Sequence, residues 1–174
     1  MNDTFDLRIS ESHIEVHKFH GGTILLCVIF ALVLQAFLPV YITKASVLDL
    51  PLLITIYFGL SRRNPSTGLL LGTFIGLLQD SLSKTPIGLF GIAKTVIGYL
   101  ASSIGARLDT EHPLARFALT AAFFALHQGI VVLVQKLLLA QHQPWFTTRL
   151  FVACIVNAIL GVFLYHFLDR LRKS

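Results

Sequence analysis

GLLLGTFIGLLQDSLSKTPIGLFGIAKTVIGYLASSIG, residues Gly68 to Gly105, is two apolar runs joined by a short polar turn containing Pro86. Neither run leaves a polar face for water, so the stretch reads as a hairpin of two membrane helices. In the first, Gly68, Gly72 and Gly76 recur every four residues and lead to Asp80. In the second, Gly91, Lys94, Gly98 and Gly105 line a similar face. Small residues at this spacing let helix backbones approach closely and gain van der Waals contact. A carboxylate and an ammonium among apolar residues are costly in lipid unless protein encloses them. The two glycine faces are therefore expected to meet, with Lys94 reaching along its helix to pair with Asp80.

The rest of the chain is in keeping with that reading. Over 174 residues, 55% are hydrophobic and 13% charged, with a mean hydropathy of +0.74. That composition cannot cover a soluble domain and indicates an all-α integral membrane protein in one domain. The net charge of +5 would suggest nucleic acid in a soluble chain, but here its placement follows membrane topology instead. No nucleic-acid partner is expected. Cys27 and Cys154 lie inside apolar runs, where a thiol acts as a small hydrophobe and implies no disulfide framework.

Six apolar runs are found, at 21–39, 47–60, 67–82, 86–106, 114–140 and 148–168, predicting a compact bundle of about six transmembrane helices over residues 21–168. The second run is short for a full crossing, and Asp49 and Pro51 at its start suit the first turn of a helix. Residues 1–20 form a polar tail with Phe5, Ile9, Val16 and Phe19 at helical spacing, suited to lying along headgroups. The tail carries acids and lacks the pattern of a secretory signal. Residues 169–174 are a short basic tail. With both termini on one side, that side holds Arg8, Lys18, Arg62, Arg63, Arg107, Arg116, Arg170, Arg172 and Lys173, against Lys44, Lys84, Lys136 and Arg149 on the other. The bias predicts cytoplasmic termini and puts Tyr41 and Trp145 at the outer interface. No internal repeat is evident, which speaks against an inverted-repeat transporter.

Candidate chemistry is sparse. His127 and Gln128 fall mid-span on the fifth helix and Asn157 on the sixth; hydrogen bonding between helices, with Thr95 as a further partner, is the expected role. A zinc protease would need H-E-x-x-H and a serine hydrolase of the elbow type G-x-S-x-G, and neither occurs. His13, His17 and His20 share a helical face, but no cysteine or suitably placed acid completes a metal site. Catalytic, metal and cofactor residues are therefore not assigned. A proton pathway generally needs more than one intramembrane acid, and Asp80 is nearly alone.

The run DLPLLITIYFGL from Asp49, the glycines leading to Asp80, the turn at Gly88 and Leu89, and then Lys94, Thr95, Gly98 and Tyr99 together resemble the MreD family of bacterial rod shape-determining membrane proteins. The resemblance implies a fold similar to the substrate-binding subunits of energy-coupling-factor transporters and a non-enzymatic role in the inner (cytoplasmic) membrane. It also implies partners: MreC directly, and through it MreB filaments, RodA and a class B penicillin-binding protein. Under this expectation the glycine faces hold the single helix of MreC. The alternative is a small-molecule-binding subunit of a vitamin or metal transporter, since a fold does not dictate its site. An intramembrane hydrolase using His127 is a third reading.

Overall fold

The computed structural model describes residues 21–41, 47–108, 112–138, 140 and 148–170, and these are helical apart from short connections. Six helices follow in order: α1 (Gly21–Tyr41), α2 (Leu50–Arg62), α3 (Pro65–Ser83), α4 (Leu89–Gly105), α5 (Pro113–Leu138) and α6 (Thr148–Arg170). The histidine-bearing tail, Lys44, Trp145 and the closing basic residues expected from the sequence lie outside the described residues. Three helices, α1, α5 and α6, are long and apolar enough to cross a membrane. At 13 residues, α2 spans only about 20 Å, short of the roughly 30 Å of a hydrocarbon core.

That short helix is the centre of the molecule. Every residue from Pro51 to Leu60 is buried, and α2 touches each of the other five helices. Its start is set by Asp49, whose Oδ1 accepts a hydrogen bond from Leu52 N at 3.0 Å, with Pro51 in the first turn, where its missing N–H costs nothing. Its end is set by Arg63 in a left-handed conformation. Asn64 then caps α3 by accepting from Ser66 N and Thr67 N, and Pro65 opens that helix.

The α3–α4 hairpin packs backbone to backbone. A Cβ at Gly76 would sit 2.7 Å from Gly91 Cα, and one at Gly72 would sit 2.7 Å from the carbonyl carbon of Lys94. At Gly68 a side chain would overlap Gly98 O and Ser102 Oγ. Thr73 and Thr95 share a hydrogen bond of 2.7 Å across the same seam. The far face of α4 meets α2 as closely: a Cβ on Gly105 would lie 2.8 Å from Leu60 Cα, and one on Gly59 would lie 2.8 Å from Ala101 Cβ. Thus α4 is pressed between α3 and α2, and the glycines are the reason it fits. Gly91, the remaining glycine of the predicted set, faces Leu77.

At the end of the bundle where α2 finishes, Asp169 on α6 ties three helices together. Its carboxylate accepts from Tyr57 Oη on α2 at 2.9 Å and from Arg116 Nη1 on α5 at 2.6 Å. Below it the rings of Tyr57 and Tyr165 lie 5.4 Å apart, and Thr120 donates to Tyr165 Oη at 3.2 Å.

Candidate functional site

The site forms where α2 begins. Because α2 is short, its first residue lies inside the bundle. At 1.5 Å per helical residue, the side chains that meet it come from about 9 Å below the Tyr41 end of α1, about 16 Å from the Leu138 end of α5 and about 14 Å from the Thr148 end of α6. Non-helical backbone at such depth must find its hydrogen bonds in protein. Two amides supply them. Gln35 on α1 donates to Leu48 O at 2.9 Å and accepts from Leu50 N at 3.0 Å. Asn157 on α6 accepts from Asp49 N at 2.9 Å and donates to Val47 O and Ala153 O at 2.8 Å each. The chain entering the bundle is thus held between α1 and α6 at Val47 O, Leu48 O, Asp49 N and Leu50 N.

The charges meet on the same residue. Lys94 Nζ donates to Asp49 Oδ1 at 3.0 Å and Oδ2 at 2.9 Å. The lysine is fully buried, while the Asp49 side chain keeps 15% of its surface exposed. The third ammonium hydrogen points to His127 Nε2 at 3.4 Å. An ammonium has no lone pair, so this nitrogen accepts and the ring proton sits on Nδ1, which is buried without a hydrogen-bond partner among the described residues. The ring of Phe90 stacks on His127 with centroids 6.0 Å apart and lies 5.3 Å from Lys94 Nζ, within reach of a cation–π contact.

The expected pairing of Asp80 with Lys94 is therefore corrected: Lys94 pairs with Asp49. Asp80 is fully buried and has another task. Its Oδ1 accepts from Phe90 N at 3.0 Å and Thr85 Oγ1 at 2.9 Å; its Oδ2 accepts from Gly88 N at 2.9 Å and Gly91 N at 3.1 Å. The last turn of α3 thus supplies the N-terminal cap of α4. Gly88, in the N-cap position, has a φ of 101° and no side chain to do so. A carboxylate at a helix N-terminus is favoured by the exposed N–H groups and the macrodipole.

Of the polar residues singled out from the sequence, Lys94, His127 and Asn157 converge on Asp49. Gln128 is half-buried and outside this network, and Thr95 bonds to Thr73 instead. Asp49 and Gln35 went unrecognised as members of the site. The signal was present for Asp49, an acid opening an apolar run too short to cross the membrane. Gln35 had a weaker one, as the single amide of the first span. The glycine faces expected to hold a partner helix are instead filled within the chain by α3, α4 and α2. Among the described residues no cluster of three His, Cys, Asp or Glu side chains could hold a metal ion.

A family model described as rod shape-determining protein MreD matches residues 18–172 of the chain. No curated protein and no solved structure matches it.

Proposed function

The chain belongs to the MreD family of rod shape-determining membrane proteins, and from that premise we propose that it is a non-catalytic platform of the cell-elongation machinery. In this reading it binds MreC through membrane helices and is thereby connected to MreB filaments, RodA and a class B penicillin-binding protein. The observation that carries the proposal is the extent of the match, which takes in all six helices and every member of the Asp49 network. The chemistry of that network supports it: Lys94 is bound to Asp49, and Gln35 and Asn157 hold the backbone that leads into α2, as a rigid support requires.

In the same reading all six helices sit in the inner membrane with both termini cytoplasmic. Arg62, Arg63, Arg107, Arg116 and Arg170 then lie on the inner side, and the Asp49 cluster lies in the outer half of the bundle. The glycine seams being occupied, MreC is met by an outward face. Phe30 on α1, Ala122 on α5 and Phe163 on α6 are all exposed, so photo-crosslinkers at these positions distinguish the faces.

The test is affinity purification from native membranes in mild detergent, with mass spectrometry of what accompanies the chain. Recovery of MreC with the cell-wall synthases is expected. Recovery of an ATPase module without MreC would overturn the proposal and favour a transporter subunit.

A further inference from the structure

Burial changes sharply at the head of α2. Val47, Leu48, Asp49 and Leu50 are half-buried, whereas Pro51 to Leu60 are all buried. The Asp49 side chain keeps 15% of its surface exposed although α4, α5 and α6 all send side chains against the residue. Asp80, the other carboxylate inside the bundle, has none.

Hydrogen bonding limits what can meet the exposed side chain. A carboxylate offers about four lone-pair positions. Oδ1 uses two, for Leu52 N and Lys94 Nζ. Oδ2 uses one, for Lys94 Nζ; His127 Nε2 is 4.0 Å away, beyond hydrogen-bond reach, and is itself an acceptor here. Among the described residues one acceptor position on Oδ2 is left. Lys94 has no donor left, its three hydrogens being directed at Oδ1, Oδ2 and His127. The occupant must therefore donate rather than accept. It must also be uncharged, because Lys94 already neutralises Asp49, and small, because the exposed area is a fraction of one side chain.

We infer that the Asp49 carboxylate holds a bound water at the head of α2, inside the membrane-embedded bundle. A neutral donor completes the carboxylate's hydrogen bonding and lowers the cost of keeping an ion pair away from bulk water. The ion pair is thus a hydrated polar site. The apolar packing around α2, by contrast, is dry.

Water-edited solid-state NMR of the full chain in lipid bilayers tests this with Asp80 as internal reference. Polarisation from water should build up at the Asp49 carboxyl carbon severalfold faster than at the Asp80 carboxyl carbon. Equal build-up at the two, or transfer to Asp49 from acyl-chain protons with none from water, would overturn the inference. Hydroxyl-radical footprinting gives a second readout. His127, beside the proposed water but only 1% exposed, should gain oxygen severalfold faster than the equally buried Phe58, and a rate no higher than that of Phe58 would overturn it as well.

Discussion

Lys94, in the middle of the glycine-rich hairpin, holds Asp49, the residue that starts the central helix, through hydrogen bonds of 3.0 and 2.9 Å to its two carboxylate oxygens. One side chain thus fixes where α2 begins and ties it to α4, while His127 and Asn157 bring in α5 and α6.

Removing one member leaves a buried charge alone. Lys94→Met should destabilise the protein by about 3–5 kcal/mol, read as a lower unfolding temperature in detergent. Asp49→Asn should do the same through the unpaired ammonium, although Asn retains the capping oxygen. The double variant Asp49→Asn/Lys94→Met should recover much of the loss, because both charges are gone together. A double variant as unstable as the sum of the two would contradict the pairing.

Asn157→Leu removes the partners of Val47 O and Asp49 N at once. Leaving a buried polar group unmade costs about 1–3 kcal/mol, so the loss should exceed that of Gln128→Leu, whose amide is outside the network. Comparable unfolding temperatures for the two variants would contradict the role given to Asn157.

Gly72→Val places side-chain atoms against the backbone of Lys94 and Thr95, which cannot move aside as a flexible side chain can. Overpacking of this kind costs about 1–3 kcal/mol or more, and the variant should lose thermal stability even as purified protein without any partner. Unchanged stability together with lost MreC recovery would instead make this seam a docking surface.

Asp80→Asn keeps the shape of the cap but turns an amide N–H₂ toward backbone N–H donors. A loss of about 1–3 kcal/mol is expected, and Asp80→Glu should not restore it, since the four donors are set for the shorter carboxylate. Hydrogen exchange at Gly88, Phe90 and Gly91 should rise in Asp80→Asn before exchange elsewhere in α4; unchanged protection there would contradict the cap.

The helices were largely legible in the sequence because apolar runs and Gly or Pro boundaries are local signals. The α3–α4 seam was legible too, since Gly68, Gly72 and Gly76 repeat with the helical period. The partner of Lys94 was not. Asp49 is 45 residues away, and only the folded chain shows that α2 starts deep in the bundle rather than at its surface. Asp80 misled for the converse reason: it sits on the neighbouring helix, but its oxygens are consumed by the turn that follows it, a local capping arrangement that the Thr85 to Gly91 stretch could have suggested. Asn157 and His127 were recognisable as buried polar residues, yet their partners are a backbone segment and an ion pair that no spacing rule connects to them.

The most direct test asks whether the buried charges serve architecture or activity. Asp49→Asn/Lys94→Met should be expressed in cells lacking the chain, with the protein level in membranes and the cell shape measured together. The account predicts that the double variant accumulates and supports rod shape, because a platform needs the helices held and not the charges themselves. A double variant that accumulates to the normal level, recovers MreC and still leaves the cells rounded would contradict it, and would make the Asp49–Lys94 pair part of the working chemistry.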